Sequence, residues 1–307
     1  MVRRFLLYLS AAAWARGMMT HFFLARRVAR RFIAGETLDD AMQAVRDLNA
    51  QGMLVTLDYL GESVSKAEDT QGVVAMYRAM LDRIDKEHLK AGVSLKLTHF
   101  GLDITEDLCV TNLRTVLTDA KAHHIPVTID MESSAYVDKT LRIYRTMRDE
   151  YEFTNLGTVI QAYLYRTKED MRHLAREGAT IRLVKGAYLE PETVAYPQKS
   201  EVDANYQAAM IDYLQAPPPA YLQIATHDET LIQAAEKAAK DHQIAPERFE
   251  FQMLYGIRSQ RQAELAKSGY QMRIYVPFGE AWYPYFMRRL AERPANLWFF
   301  VRSLFRA

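Results

Sequence analysis

Eight short runs of apolar and β-branched residues recur along the chain, and each ends in turn or polar residues before a helical pattern. The runs are 53–57, 93–97, 127–130, 158–162, 180–184, 221–225, 249–253 and 272–276. The helical stretches include 37–49, 70–90, 105–123, 168–177, 201–214, 228–241 and 258–268. Eight strands alternating with helices over roughly 250 residues predict an α/β fold of the (β/α)8 barrel type. A doubly wound sheet is the alternative, although the sequence has no Gly-x-Gly-x-x-Gly and no Walker loop.

The composition fits one barrel-sized globular domain. The 307 residues are 49% hydrophobic and 25% charged, and the formal net charge of +1 gives no general electrostatic reason to bind nucleic acid. Any anion site must therefore be local. The single Cys109 excludes an intramolecular disulfide framework and a zinc cluster of several thiolates. A reducing compartment, the cytoplasm, is the expected location.

A basic N-terminal segment, residues 1–36, precedes the predicted catalytic domain, residues 37–307. Seven arginines and no acidic residue lie before residue 36, together with the apolar run 5–15. A secretory signal is one reading, but the run is too short to span a bilayer. We predict amphipathic helices that either pack beneath the barrel or rest on an anionic membrane surface.

Polar side chains stand at or just after the ends of nearly all the predicted strands. They are Asp58, Glu62, Lys96, Asp130, Glu132, Gln161, Arg182, Lys185, Thr226, His227, Gln252 and Tyr275. Chemistry in such barrels gathers at the carboxyl ends of the strands, and polar groups are costly to bury there unless they are paired. The sequence therefore predicts a site at this end of the barrel. Each charged residue taken alone also fits a structural ion pair.

The stretch 275–293 predicts a strand end, a break at Pro277 and Gly279, and then a helix. Spacings of three and four residues put four side chains on one helix face: Tyr285, Arg288, Arg289 and Glu292. Two adjacent guanidinium groups suit paired hydrogen bonds to a carboxylate, so the ligand is predicted to carry one. A solvated helix face with i,i+4 ion pairs is the alternative.

Eight separate motifs, in order, resemble those of the monofunctional bacterial proline dehydrogenases. They are residues 58–62 (DYLGE), 94–98 (SLKLT), 129–132 (IDME), 159–164 (VIQAYL), 182–188 (RLVKGAY), 225–227 (ATH), 250–256 (EFQMLYG) and the stretch with Arg288 and Arg289. The resemblance runs from about residue 37 to 302. It implies a distorted (β/α)8 TIM-like barrel and a flavoenzyme that moves a hydride from L-proline to FAD, giving 1-pyrroline-5-carboxylate.

The resemblance also implies which residues bind the substrate. Arg288 and Arg289 would hold the proline carboxylate, with Lys96 adding positive charge. Glu62 would be a gate residue that pairs with one arginine when the site is closed, and without the resemblance it reads as a solvated loop carboxylate. The walls around the pyrrolidine ring would be Tyr275, Tyr285 and Leu254. The bulk of Tyr275 would favour proline over hydroxyproline.

Other positions correspond to cofactor contacts in the resembled family. The implied contacts are Met131, Gln161, Arg182, Lys185, Gly186, Ala187, Thr226 and His227. Arg182 would lie near the flavin ring, where a fixed cation favours the reduced form. Asp130 would hold Lys96 or Arg182 in place, and a general-base role is open but not needed. No second ligand stands at metal spacing from His227, so no metal is expected.

Two other functions compete with this interpretation. A Schiff base at Lys185 or Lys96 would make the protein a lyase or aldolase on the same barrel. A barrel that only binds an amino acid or flavin as a sensor is the non-enzymatic alternative. For the dehydrogenase, a membrane quinone is the expected electron acceptor. The basic N-terminus and the aromatic tail 297–305 would either touch the inner face of the membrane or cap the barrel.

Overall fold

The structure is a computed structural model that describes residues 31–61 and 63–292, the last five by their backbone alone. The strands are β1 (Leu54–Tyr59), β2 (Ala91–Leu95), β3 (Val127–Ile129), β4 (Leu156–Gln161), β5 (Thr180–Val184), β6 (Tyr221–Ala225), β7 (Phe249–Leu254) and β8 (Met272–Phe278). The α-helices are α1 (Leu38–Ala50), α2 (Ala67–Lys86), α3 (Glu106–Ala122), α4 (Val137–Arg145), α5 (Thr167–Arg176), α6 (Lys199–Leu214), α7 (Glu229–Asp241), α8 (Ser259–Lys267) and α9 (Trp282–Glu292).

The eight strands close into one barrel in chain order. Every neighbouring pair is parallel, and β8 returns to pair with β1 from Leu54↔Arg273 to Tyr59↔Phe278. Each strand is followed by a helix, and α1 precedes β1. Helix α1 packs its apolar face, with five buried residues, into the core beside the sheet. The predicted barrel is confirmed, and the open, doubly wound alternative is wrong.

The predicted end of the last strand was wrong. Strand β8 runs through Pro277 to Phe278, and its pairing with β1 continues to the end. Strand β7 stops pairing at Leu254, opposite Tyr275, so the missing N–H of Pro277 falls beyond the end of that neighbour. The carbonyl of Pro277 instead accepts a hydrogen bond from Ala34 N at 2.9 Å. A helix after β3, α4, was also absent from the prediction.

The register makes the barrel interior polar. Arg182 stands opposite Gln223, which in turn stands opposite Glu250 on β7. Arg273 stands opposite Gln252 on the other side of β7. Interiors of such barrels are usually filled by bulky apolar residues. Here charged and amide side chains fill part of the interior, so the hydrophobic core lies mainly between the strands and the outer helices.

The first described residues pack against the end of β8 and against α9. Gly279 N donates to the carbonyl of Gly35 at 3.0 Å, and Trp282 Nε1 donates to Glu36 at 3.1 Å. The rings of Phe32 and Phe286 lie 6.1 Å apart. Residues 1–30 and the tail 297–305 lie outside the described part, so the N-terminal segment and its membrane role stay predictions. Within residues 31–61 and 63–292, none of the helices combines the length and apolar character needed to cross a membrane.

Candidate active site

Asp130 is the centre of a charged cluster at the carboxyl end of the barrel. Its Oδ1 accepts hydrogen bonds from Ser94 Oγ and from Arg182 Nη1, both at 2.7 Å. Its Oδ2 accepts from the Tyr275 hydroxyl at 2.7 Å. Side chains from three strands, β2, β5 and β8, therefore converge on one carboxylate that follows β3. Burial, with the charge of Asp130 next, raises the pKa of Tyr275 well above its usual value, so this hydroxyl stays a donor.

Lys96 bridges Asp130 to a second carboxylate. Its Nζ lies 3.3 Å from both oxygens of Asp58 and 3.7 Å from Asp130 Oδ2. The Asp58 side chain is 2% exposed and the Lys96 side chain 11%. Burial raises the pKa of the Asp58 carboxyl, while Lys96 opposes the rise and Asp130 adds to it. We call these six residues the mouth cluster: Asp58, Ser94, Lys96, Asp130, Arg182 and Tyr275.

Arg182 is held at two of its three nitrogens. Nη1 donates to Asp130 and to Ser94 Oγ, and Nε donates to Gln252 Oε1 at 2.6 Å. The guanidinium carbon lies 5.2 Å from the centroid of the Tyr275 ring, within cation–π range. Among the described residues, Nη2 of Arg182 and Oε1 of Gln161 are buried atoms without a hydrogen-bond partner. A buried unpaired donor and acceptor are costly unless a ligand satisfies them, so this end of the barrel suits a polar ligand.

Lys185 lies in a second ionic group. Its Nζ is 2.5 Å from Asp203 and 2.8 Å from Asp228, and Lys199 contacts the same two carboxylates. Two lysines thus face two aspartates, and the charges balance. Any phosphate contact by Lys185 requires at least one of these ion pairs to be exchanged.

The loop after β5 passes close to an aromatic ring. Gly186 has a φ of +115°, and a Cβ built on it would lie 2.5 Å from the Tyr163 ring. Only glycine fits both the backbone angle and the space. Further along, Glu190 accepts from the backbone N of Ser134 at 2.7 Å and from its hydroxyl. This ties the loop after β5 to the short 3₁₀ turn after β3.

The remaining predicted cofactor residues lie around the ends of β3, β5 and β6. His227 Nε2 accepts from the backbone N of Leu254 at 3.0 Å, which joins β6 to β7 at the mouth. Thr226 is buried, and its Oγ1 accepts from Asp228 N at 3.1 Å. Met131 is also buried, and Ala187 is partly so.

The predicted carboxylate clamp lies at the limit of what the structure describes. Helix α9 contains Arg288 and Arg289, but their side chains are not among those described. Glu62 also lies outside the described residues. Tyr285, on the same helix, is 6% exposed. The roles assigned to these four residues stay predictions.

Sequence reasoning gave two contributors no role and missed two others. Asp58 and Gln252 were noted only as strand-end residues, whereas the structure ties both directly to the cluster. Glu250 and Arg273 were passed over, although each interrupts an apolar strand. Glu250 accepts from Gln252 Nε2 at 2.6 Å and from Arg273 Nε at 2.7 Å. A charged residue inside an apolar run was the available signal.

A closed parallel barrel whose strand ends bring charged side chains together is the architecture of a (β/α)8 barrel enzyme. The family model described as Proline dehydrogenase matches residues 41–302. The chain belongs to the proline dehydrogenase family, whose members are oxidoreductases. This confirms the predicted family, enzyme class and function, and it does not favour the Schiff-base lyase.

Curated relatives extend over most of the chain. Proline dehydrogenase 1 of Bacillus subtilis (strain 168) is 46% identical over 276 residues, 90% of each chain. Proline dehydrogenase 2 of the same strain is 44% identical over 302 residues, 98% of each chain. The proline dehydrogenase of Deinococcus radiodurans is 41% identical over 281 residues, 90% of each chain.

A solved structure of a larger protein shares the fold. It is proline utilization A from Bdellovibrio bacteriovorus inactivated by N-propargylglycine, with a TM-score of 0.82 and 27% identity. The match covers 91% of this chain and 34% of that one, so this chain spans about a third of its length.

Proposed function

We propose that the protein oxidises L-proline to 1-pyrroline-5-carboxylate with FAD held at the carboxyl end of the barrel. Membership of the proline dehydrogenase family supports the reaction and the substrate. The observation that carries the proposal is Arg182, a buried guanidinium fixed by Asp130 and Gln252 with Nη2 still available. FAD, when bound, supplies the ring atom that accepts the hydride.

The described residues fit such a cofactor. Arg182 Nη2 is a donor and Gln161 Oε1 an acceptor, and both are buried on the adjacent strands β5 and β4. The isoalloxazine edge carries both acceptors and a donor, so it can satisfy both atoms. Gly186 lets the backbone after β5 approach a flat ring without a side chain in the way. Met131, Ala187, Thr226 and His227 would line the rest of the cofactor site.

Lys185 would serve the cofactor through an exchange of partners. Asp203 and Asp228 hold it in the structure, and Lys199 contacts the same carboxylates. A phosphate that took over Lys185 would leave Lys199 as the lysine in contact with the two aspartates.

The substrate would be held by its carboxylate. We assign the anchoring to Arg288 and Arg289, with Lys96 adding charge from the mouth cluster. Tyr275, Tyr285 and Leu254 would wall the ring, because an apolar five-membered ring requires apolar contact. Glu62 would close the site by pairing with one of the arginines.

Asp130 acts here as a positioning residue. Its two oxygens accept hydrogen bonds from Ser94, Arg182 and Tyr275, so the carboxylate holds three side chains in place. Its charge balances that of Arg182 and fixes the position of the guanidinium that would face the ligand. The amine proton of proline would then pass to solvent rather than to this carboxylate.

The lysine alternative has less support from the geometry. Lys96 contacts Asp58 and Asp130, and Lys185 contacts two further aspartates. A Schiff-base lysine must present its nitrogen to a carbonyl substrate instead.

Reoxidation by a membrane quinone completes the proposed cycle, with the protein in the cytoplasm and in peripheral contact with the membrane. The arginine-rich segment before residue 36 motivates this contact, since basic amphipathic segments bind anionic lipid surfaces. Liposome flotation with anionic vesicles tests it. Protein that stays wholly in solution, with and without proline, rules the contact out.

An anaerobic titration tests the main proposal. The purified protein is expected to be yellow, and its visible absorbance should bleach when L-proline is added without oxygen. A colourless protein that borohydride traps with its substrate would support the lyase instead. Flavin that stays oxidised, with no reduction of a quinone analogue, would leave only a binding role.

The carboxylate clamp has its own test. Arg288→Met and Arg289→Met should each raise the half-saturating proline concentration, by a loss of roughly 2–5 kcal/mol of binding free energy. Arg172→Met, which changes an exposed arginine on α5, is the matched control. Unchanged saturation in both clamp variants would remove these arginines from the site.

A further inference from the structure

The barrel interior links the mouth cluster to a charge pair near the opposite end. Glu250 is the second residue of β7 and Arg273 the second residue of β8. Glu250 Oε1 accepts from Arg273 Nε at 2.7 Å, and Arg273 Nη1 donates to the carbonyl of Val55 at 3.0 Å. We call Glu250 and Arg273 the floor pair. The Glu250 side chain is 0% exposed and the Arg273 side chain 12%.

Gln252 connects the floor pair to Arg182. Its Nε2 donates to Glu250 Oε1 at 2.6 Å, and its Oε1 accepts from Arg182 Nε at 2.6 Å. The two ends of an amide have the same shape but opposite hydrogen-bonding character. Because a carboxylate can only accept, Glu250 selects the orientation in which the oxygen of Gln252 faces Arg182. The reverse orientation would bring two donors together at Arg182.

This orientation decides what Arg182 can offer to a ligand. With Nε bound to Gln252 and Nη1 bound to Asp130, the guanidinium is fixed at both positions. Nη2 is then left at a defined place in the mouth, buried and without a partner among the described side chains. Without the hydrogen bond from Gln252 to Glu250, the guanidinium of Arg182 could tilt about its contact with Asp130.

We propose that Glu250 is a positioning residue for the reaction: through the amide of Gln252 it aligns Arg182 for its ligand. The inference rests on the proposed function, because it takes Arg182 as the group that faces the flavin. Arg273 supports the arrangement by neutralising Glu250 inside the barrel. Glu250 itself would touch neither substrate nor cofactor.

The test uses a variant that removes the floor pair without leaving a charge unpaired. Glu250→Leu with Arg273→Met should fold, because a buried ion pair replaced by apolar residues of similar volume is often neutral for stability. In anaerobic stopped-flow, proline should reduce its flavin more slowly by roughly tenfold to a hundredfold, the cost of a misplaced catalytic group. The half-saturating proline concentration should stay within about twofold, since the substrate clamp is untouched.

A matched control changes another contact of the same carboxylate. The Tyr221 hydroxyl lies 3.4 Å from Glu250 Oε2, the oxygen that Gln252 does not use. Tyr221→Phe removes this contact and leaves Gln252 oriented, so its reduction rate should match the unmodified protein. A loss as large as in the double variant would mean that any change in the interior slows the reaction, and it would overturn the proposal.

A mutant cycle shows whether the effect passes through Arg182. In an Arg182→Met background, removing the floor pair should cause no further fall in rate, because the group it aligns is gone. The same fall in both backgrounds would overturn the proposal. If the double variant does not accumulate as folded protein, Gln252→Met replaces it, since it cuts the link and leaves the floor pair intact.

A crystal structure of the variant without ligand separates this inference from the proposed function. The Arg182 guanidinium should be displaced or spread over several positions, and an unmoved Arg182 would overturn the inference. If the unmodified protein does not bleach with proline, the proposed function fails. The position of Arg182 in the variant still decides whether Glu250 positions it.

Discussion

The floor pair and the mouth cluster are buried charge networks in one barrel, but they differ in completeness. Glu250 is satisfied by Arg273 and Gln252, and Arg273 also reaches a backbone carbonyl. At the mouth, Arg182 Nη2 and Gln161 Oε1 lack partners among the described residues, and burial raises the pKa of Asp58. A network whose polar atoms are all paired stabilises the fold, whereas one with unpaired buried atoms can still bind a ligand. The unpaired donor and acceptor at the mouth fit the ligand site that we propose there.

The largest expected effect is the loss of stability when the floor pair is disrupted. Arg273→Met leaves Glu250 as an unpaired charge at 0% exposure, which should cost about 3–5 kcal/mol of the free energy of unfolding. Urea denaturation followed by circular dichroism measures this loss. Adding Glu250→Leu should restore most of the stability. If Arg273→Met alone is as stable as the unmodified protein, the floor is not a closed ionic network.

The next effect concerns activity at the mouth. Arg182→Met should slow flavin reduction by about 10²–10³-fold, the usual cost of one preorganised electrostatic group. It should destabilise the protein less than Arg273→Met does, because Asp130 keeps Ser94, Tyr275 and the nearby Lys96. Anaerobic stopped-flow gives the rate, with Arg172→Met as the control. A normal rate would end the role assigned to Arg182.

A smaller effect is expected in the loop beside the mouth. Gly186→Ala places a Cβ 2.5 Å from the Tyr163 ring at a φ of +115°, and it should lower stability by more than about 1 kcal/mol. Gly269→Ala is the matched control, since Gly269 has a φ of +89° and nothing within 4 Å of such a Cβ. Thermal unfolding and the flavin content of each variant measure the difference. Equal losses at both positions would show that backbone strain alone matters.

The smallest effect is a pH dependence carried by Asp58. Because its pKa is raised on folding, its contribution to stability is complete below the ordinary value of 3.8 and is lost as the pH rises through the folded pKa. The stability of the unmodified protein relative to Asp58→Asn should therefore fall above about pH 4, by at most about 1.4 kcal/mol per pH unit.

The control for Asp58 lies on the surface. Lys237 lowers the pKa of exposed Asp241, so the same comparison with Asp241→Asn should change in the opposite direction with pH. Urea unfolding at several pH values measures both series. A flat difference for Asp58→Asn would mean that the mouth does not disfavour its charge.

Some features were within reach of the sequence because they depend on local patterns. The alternation of apolar runs and helical stretches predicted eight strands and the barrel, and the bounds of β5 and β6 agree with the structure. The same pattern placed Asp130 directly after β3 and Arg182 on β5, where the structure has them. The predicted strand break at Pro277 was wrong. The local sequence does not show that the neighbouring strand β7 has already ended there, so that the missing N–H of proline costs no pairing.

The sequence by itself determined the order of the elements and the kinds of side chain at the strand ends, since hydrophobic periodicity and turn residues act over a few positions. Only the tertiary structure decided that Asp58 approaches Lys96 and that Gln252 turns its oxygen to Arg182. It also decided that the charges of the floor pair are paired with each other, whereas Arg182 in the mouth cluster keeps a nitrogen without a partner among the described residues. These outcomes depend on the register between strands far apart in the chain. A single residue of register shift would turn each of these side chains to the other face of the sheet.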